Sequence, residues 1–238
     1  MFDRLKRNIP NALTACNLLC GCVAVVRALN GDLEAAVCCI FAAAIFDFFD
    51  GFVARLLNAQ SDIGLQLDSL ADVVSFGVAP SSIIFWTLTV TQKYFQSDLP
   101  AFIPYLAFLI AVFSALRLAK FNIDERQTSS FIGLPTPACA IFVCGLPYFD
   151  IFTHTGYFVL LTLIPALCFL LTCELPMFSL KLKKTDKPFV GQYKMQLLLL
   201  ACSSVFLIAG QMKGLSLSIA LYVLLAFIDR KRKKHVEQ

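Results

Sequence analysis

The sequence predicts an all-α, polytopic membrane protein: a bundle of about eight transmembrane helices with both termini in the cytoplasm. Of its 238 residues, 58% are hydrophobic and only 15% are charged, whereas a soluble domain is about 45–50% apolar and about 25% charged. Long apolar runs alternate with short polar breaks, and the basic residues gather in alternate breaks. Together these features exclude a soluble globular domain.

Eight apolar runs approach the length of about 20 residues that a membrane-spanning helix requires. The breaks between them contain turn residues, such as Asn30-Gly31-Asp32, and one long polar run from Lys181 to Gln192. No A-x-A-like cleavage site follows the first run, so we expect it to be retained as a span. The runs cover approximately residues 13–29, 33–57, 73–92, 101–121, 135–153, 156–173, 195–210 and 214–229.

Basic residues predict the orientation of the bundle. With eight spans, 17 of the 20 lysines and arginines fall on the side that also holds both termini. The positive-inside rule assigns this side to the cytoplasm, which predicts a multi-pass protein of the cell (inner) membrane. We expect the basic tail, residues 230–238, to contact anionic lipid headgroups rather than nucleic acid.

Acidic residues concentrate where the second run ends. Asp50 stands three positions after Asp47; Gly51 stands four positions after Asp47, and Ala54 four positions after Asp50. On a helix these four residues share one face. This pattern predicts a stripe that carries two carboxylates beside two residues of very small volume.

A second acidic stripe follows the short link of residues 56–63. Gly64, Asp68 and Asp72 repeat every four residues, so they also share one helical face. The short link lets the two helices run antiparallel. We therefore expect the two stripes to face each other and to bring four carboxylates together.

Four neighbouring carboxylates in an apolar chain require compensating cations. A single Asp in mid-membrane costs about 2.5–3.5 kcal/mol on insertion scales, and Arg55 alone does not balance four charges. Oxygen ligands without neighbouring His or Cys favour Mg²⁺, Mn²⁺ or Ca²⁺, and two such ions are typical of displacement at phosphorus. Beside such ions, Gly51 indicates either close helix packing or room for a ligand.

The spacing Asp47-x2-Asp50-Gly51-x2-Ala54-Arg55-x8-Gly64-x3-Asp68-x3-Asp72 resembles the signature of the CDP-alcohol phosphatidyltransferases at all eight fixed positions. The resemblance implies a membrane enzyme that moves a phosphatidyl group from a CDP-linked lipid to an alcohol and releases CMP. It also implies a homodimer. It covers about residues 5–185 of a single domain, 1–238, whose residues 195–229 form two further spans.

Four segments resemble the phosphatidylserine synthase branch of this family, which implies CDP-diacylglycerol and L-serine as substrates. Alternative acceptors are glycerol 3-phosphate and inositol phosphate, but the basic residues that we expect near the last aspartates of those branches are missing. A cation-coupled transporter is the alternative from another class, although no internal repeat is visible. The segments are IPNALTACNLLCG from Ile9, GLQLDSLADVVSFGVAPS from Gly64, SALRLAKFN from Ser114 and FIGLPTPACA from Phe131.

The resemblance also implies roles for the acidic residues. Asp47, Asp50 and Asp68 hold the metal ions, and Asp72 is the general base that accepts the proton of the acceptor hydroxyl. Asp72 as a fourth metal ligand is the alternative. A covalent phosphatidyl-enzyme is not expected, because the sequence offers no Ser/His or Cys/His dyad.

The resemblance likewise implies which residues bind the CDP moiety. Gly51 and Ala54 flank the cytidine, and Arg55 pairs with the diphosphate or with an aspartate. Thr14 and Asn17 on the first helix contact the nucleotide, unless Asn17 makes a simple hydrogen bond between helices.

Recognition of the serine carboxylate or of a phosphate is assigned to a basic cluster after the fourth span. Arg117, Lys120 and Arg126 lie there, with Asn122 between them. A positive-inside anchor explains the same charges equally well. Lys120 stands where this branch most often has Arg, and it lacks the bidentate fork of a guanidinium.

Overall fold

A computed structural model describes residues 2–95, 99–124, 131–177 and 194–236. These residues form helices connected by short turns, which confirms the helical fold class. One antiparallel pairing joins two short strands, β1 (Phe131–Ile132) and β2 (Pro176–Met177). The helices are α1 (Phe2–Leu29), α2 (Leu33–Leu56), α3 (Asp62–Asp72), α4 (Ala79–Tyr94), α5 (Leu109–Ile123), α6 (Thr136–Gly145), α7 (His154–Thr172), α8 (Lys194–Gly210) and α9 (Lys213–Val236).

Within the described ranges, five helical runs are long and apolar enough to cross a membrane. Two further apolar helices, Thr136–Tyr148 and Leu197–Gly210, are shorter. A membrane helical bundle is therefore confirmed, whereas the number of eight spans and the cytoplasmic location of the termini stay predictions. The five long runs are Asn8–Leu29, Leu33–Leu56, Asp62–Tyr94, Ile103–Ile123 and His154–Thr172.

The fifth predicted span, residues 135–153, differs most from the structure. Helix α6 ends at Gly145 and continues only as a 3-10 turn, Leu146–Tyr148. Pro147 lies in this turn, and its missing N–H group and bulky ring end a regular helix. The resulting 13-residue run is too short to cross about 30 Å of hydrocarbon at about 1.5 Å per residue.

Helices α1 and α2 form a tightly packed hairpin. Gly31 turns the chain with a φ of +85°, and a Cβ atom there would lie 2.6 Å from the Trp86 ring. Asp32 then caps α2, because its side chain accepts a hydrogen bond from the Ala35 N–H at 3.2 Å. The hairpin aligns the polar residues of α1 with the aspartates at the end of α2. Small, fully buried residues allow its close packing: Ala24, Ala28, Ala36 and Ala43.

The second acidic stripe lies in a helical run that begins eleven residues before the predicted start at residue 73. This run, Asp62–Tyr94, consists of α3, a π-helical turn (Val73–Val78) and α4. Pro80, in the first turn of α4, lacks an N–H group and disturbs the regular bonding of the preceding turn. The hydroxyl of Ser81 donates to the Gly77 carbonyl, four residues back, at 2.7 Å. The π turn follows Asp72 directly, and such turns are frequent at functional sites.

Candidate active site

Four carboxylates meet where α2 packs against α3. Oxygens of Asp47, Asp50 and Asp68 all lie within 4.8 Å of one another. The carboxyl group of Asp47 also contacts that of Asp72 at hydrogen-bonding range. The two stripes therefore face each other across the short link, as the helical spacing predicted.

Two polar residues of α1 hold two of these carboxylates. The Thr14 hydroxyl lies 2.6 Å from Asp50 Oδ2 and donates to it. Asn17 is fully buried, and its Nδ2 donates to Asp72 Oδ1 at 3.3 Å. The sequence assigned both residues to the nucleotide, but the geometry agrees with the alternative for Asn17, a hydrogen bond between helices.

The donor set of the cluster fits a divalent cation. Asp68 Oδ1 is buried and has no hydrogen-bond partner in the described part of the chain. Two carboxylates 4.8 Å apart repel by about 3.5 kcal/mol at an effective dielectric constant of about 20. Among the described residues no ion pair reaches the cluster, and the one present joins Arg27 to Asp32. Oxygen-only ligands with unbalanced charge suit Mg²⁺, Mn²⁺ or Ca²⁺.

A cavity of about 450 Å³ opens beside the carboxylates, within the range of about 300–1,000 Å³ that is usual for ligand sites. It brings together most of the residues that the sequence assigned to CDP: Thr14, Gly51, Ala54 and Arg55. Asn17 does not line it. Sequence reasoning missed four of its polar lining residues, which have no place in the signature: Asn11, Gln60, Ser61 and Asp62.

The two glycines of the signature serve different purposes. A Cβ atom on Gly51 would meet nothing closer than Arg55 Nη2 at 4.0 Å, so Gly51 faces open space in the cavity. A Cβ atom on Gly64 would lie 3.1 Å from both Asn11 Oδ1 and Ser61 Oγ. Room for a ligand therefore explains Gly51, and close packing of α3 against α1 explains Gly64.

The residues that the sequence assigned to binding the acceptor lie partly in the interior of the bundle and partly at its surface. Arg117 on α5 is buried, and its Nη1 donates to Thr136 Oγ1 at 2.8 Å. Lys120 is exposed, and Asn122 donates to the hydroxyl of Ser69 on α3 at 2.9 Å. Arg126 lies outside the described residues. Arg117 is therefore the residue of this group that lies in the interior, where the charge of Asp72 acts on it.

Comparison with known families identifies this arrangement. The profile of the CDP-alcohol phosphatidyltransferase family matches residues 7–168, more than half of the chain. The chain belongs to this family. In this phosphatidyltransferase the eight signature residues all lie on α2 and α3 around the acidic cluster, and the matched region ends within α7. Membership in an enzyme family also excludes the transporter alternative.

Several relatives of this phosphatidyltransferase are named CDP-diacylglycerol–serine O-phosphatidyltransferase. The Bacillus subtilis (strain 168) protein is 38% identical over 160 residues, which are 59% of this chain and 84% of that protein. The Helicobacter pylori (strain J99) protein is 38% identical over 136 residues, covering 56% of this chain and 54% of that protein. The Methanocaldococcus jannaschii protein is 39% identical over 137 residues, covering 58% of this chain and 59% of that protein. The similarity thus spans little more than half the length of the last two relatives.

Proposed function

We propose that this phosphatidyltransferase transfers the phosphatidyl group of CDP-diacylglycerol to the hydroxyl of L-serine, giving phosphatidylserine and CMP. The observation that carries the proposal is the convergence of Asp47, Asp50 and Asp68, with Asp72 in contact with Asp47, beside a cavity large enough for a nucleotide. Serine as acceptor is supported by the names of the relatives and by the segment Gly64–Ser81.

The acidic cluster would hold two divalent cations, Mg²⁺ or Mn²⁺, with Ca²⁺ as an alternative occupant. Asp47, Asp50, Asp68 and Asp72 supply only carboxylate oxygens, which suit these hard ions. When bound, the cations offset charge on the diphosphate and help CMP to leave. Thr14 fixes the carboxylate of Asp50 by its 2.6 Å hydrogen bond.

The cavity would bind the CDP moiety of the donor. Gly51 and Ala54 leave space along α2 for the cytidine. Arg55, whose side chain is exposed and lines the same cavity, would donate to the diphosphate. Thr14 lines the cavity as well, whereas Asn17 would act on the reaction through Asp72.

Asp72 would be the general base. A carboxylate within hydrogen-bond reach accepts the proton of the serine hydroxyl while its oxygen attacks the lipid-side phosphorus. Asp72 is buried, and its hydrogen bond from Asn17 fixes its orientation. Arg117, beside Asp72, would bind the serine carboxylate, while Lys120, Asn122 and Arg126 would bind serine or phosphate near the surface.

The sequence supports a location and an assembly for the enzyme. The positive-inside bias of 17 of the 20 basic residues supports an active site at the cytoplasmic face of the cell (inner) membrane. The polytopic bundle is in contact with membrane lipids on its apolar surface. The family resemblance supports a homodimer.

One experiment tests the reaction and its acceptor together. Purified protein receives CDP-diacylglycerol, Mg²⁺ or Mn²⁺, and serine, glycerol 3-phosphate, inositol phosphate or ethanolamine, and CMP release and the lipid product are measured. We expect phosphatidylserine alone, and no product from Asp72→Asn. Asp150→Asn, an exposed residue outside the site, is the matched control and keeps full activity. Product from a different acceptor, or near-normal activity of Asp72→Asn, would refute the proposal.

A further inference from the structure

Two contacts fix how α5 lies against the helical run that carries the second acidic stripe. Near the end of α5, the amide of Asn122 donates to the hydroxyl of Ser69 at 2.9 Å. Further back on α5, Ser114 Cβ lies 3.3 Å from the Cβ position of Gly77 in the π turn. The first contact lies eight residues before the second on the acidic run and eight residues after it on α5. The two elements therefore run antiparallel, in a register that these contacts define.

This register places Arg117 on nearly the same level as Asp72. Arg117 follows Ser114 by three residues, so its level on the acidic run is three residues before Gly77, at Val74. Asp72 is two residues from that position, about 3 Å along the helix axis at about 1.5 Å per residue. In agreement with this register, the charge of Asp72 acts on the guanidinium. Arg117 is thus a cation in the interior of the bundle on the level of the acidic cluster.

Thr136 anchors one side of this guanidinium. Arg117 is buried, and its Nη1 donates to Thr136 Oγ1 at 2.8 Å. Thr136 itself is fully buried at the first position of α6. The centroid of the Phe121 ring, on the next turn of α5, lies 6.0 Å from the guanidinium carbon. The guanidinium is therefore bound to α6 by one hydrogen bond and lies over a ring of its own helix.

The backbone just before Thr136 is tied to the last turn of α7. Gly133 has a φ of +74°, and a Cβ atom there would lie 2.8 Å from the carbonyl oxygen of Leu171. The N–H group of Leu134 donates to the carbonyl of Leu170 at 2.8 Å. Because its backbone is fastened in this way, Thr136 offers Nη1 a fixed acceptor rather than one on a free loop.

The opposite side of the guanidinium is open to a ligand. Arg117 is only 7% exposed, and its Nε has no hydrogen-bond partner among the described residues. A buried donor of a charged group is costly to leave unpaired. In a guanidinium the N–H groups of Nε and Nη2 share one edge, so the bond from Nη1 to Thr136 leaves this edge for a second partner. A carboxylate fits such an edge with two parallel hydrogen bonds.

We propose that Thr136 is a positioning residue, whose hydroxyl holds the Arg117 guanidinium so that its Nε–Nη2 edge binds the carboxylate of the acceptor amino acid. The inference deepens the proposed function and rests on it, because it assumes an acceptor with a carboxylate. With that carboxylate bound to Arg117, the hydroxyl of a molecule as short as serine stays close to Asp72, the proposed base. Recognition of the acceptor then depends on the start of α6 as well as on the two signature helices.

Thr136→Val in the full-length protein tests this role, because valine has nearly the same shape and lacks the hydroxyl. We expect the KM for serine to rise about tenfold, which corresponds to about 1.4 kcal/mol, close to the contribution of one hydrogen bond to a charged group. The kcat and the KM for CDP-diacylglycerol should stay unchanged. Thr136→Ser keeps a hydroxyl and should have a KM for serine close to that of the wild type.

The same substitution at Thr91 on α4 is the matched control. Thr91 is 2% exposed, and its hydroxyl has no hydrogen-bond partner in the described part of the chain. Thr91→Val should therefore keep all the kinetic constants of the wild type. An unchanged KM for serine in Thr136→Val would overturn the proposal. So would a fall in kcat with a rise in both KM values, which indicates a merely structural residue, or a Thr136→Ser variant as impaired as Thr136→Val.

Failure of the proposed function gives a different result. Wild type that uses an anionic acceptor other than serine refutes serine as the substrate. Thr136→Val is then measured with that acceptor: a selective rise in its KM supports the positioning of Arg117, and an unchanged KM overturns it. Wild type that uses only ethanolamine, which has no anionic group, refutes both the proposed function and this role of Thr136.

Discussion

Asp68→Asn should make the cation-free protein more stable while it weakens cation binding. The oxygens of Asp68, Asp47 and Asp50 lie within 4.8 Å of one another, so Asp68 takes part in two repulsive pairs. Each pair costs about 3.5 kcal/mol at an effective dielectric constant of about 20. Replacing one carboxylate by an amide of the same shape therefore relieves up to about 7 kcal/mol of repulsion, less what salt screens.

Thermal unfolding of the purified protein, followed by far-ultraviolet circular dichroism in chelator and in rising Mg²⁺ or Mn²⁺, measures this effect. In chelator, Asp68→Asn should melt above the wild type. A cation at about 100 times its Kd stabilises the wild type by about 2.7 kcal/mol, and the variant should gain much less. The difference in melting temperature between the two proteins should therefore shrink or reverse as the cation is added.

Asp62→Asn is the matched control, because it removes the same charge from the same helix at an exposed position. Asp62 lies in the first turn of α3, where a carboxylate favours the helix dipole by about 0.3–1 kcal/mol. This control should therefore melt slightly below the wild type in chelator and keep the full response to cations. If Asp68→Asn behaves like Asp62→Asn in both conditions, the acidic cluster is not a cation site.

Two further substitutions test the donors and the cavity. Asn17→Ala removes the amide that donates to Asp72. A hydrogen bond to a charged group contributes about 1.5–3 kcal/mol, so kcat should fall by about 10- to 150-fold. An unchanged kcat would contradict the positioning of Asp72 by Asn17. Asn8→Ala, exposed on the same helix, is its control and should keep the wild-type kcat. Ala54→Leu fills part of the cavity, and steady-state kinetics should show a higher KM for CDP-diacylglycerol with no change in the KM for serine.

The acidic site was predictable because it depends on local geometry alone. Helical periodicity places Asp47 and Asp50 on one face and Asp68 and Asp72 on another, and a short link forces the two faces together. No information about distant parts of the chain is needed for this step. The same reasoning left the purpose of Gly51 open, because the space around a glycine depends on what packs beside it.

The roles of α1 residues depend on a register that the sequence does not reveal. The sequence assigns Thr14 and Asn17 to the nucleotide, but only the packing of α1 against α2 and α3 directs their side chains at Asp50 and Asp72. Arg117 illustrates the same limit. Counting charges for the positive-inside rule treats it like Lys120, although one is buried and the other is exposed.

The π turn connects the two halves of the site in a way that spacing cannot predict. In this turn the N–H of Ala79 bonds to the carbonyl of Val74, five residues back instead of four, so the helix face changes direction after Asp72. Gly77 then faces α5, where its Cβ position lies 3.3 Å from Ser114 Cβ. Because a larger residue would separate the helices, this close approach allows Arg117, three residues after Ser114, to reach the interior beside Asp72. The same helical run thus presents Asp72 to Asn17 of α1 and, after the π turn, packs closely on α5, the helix that carries Arg117.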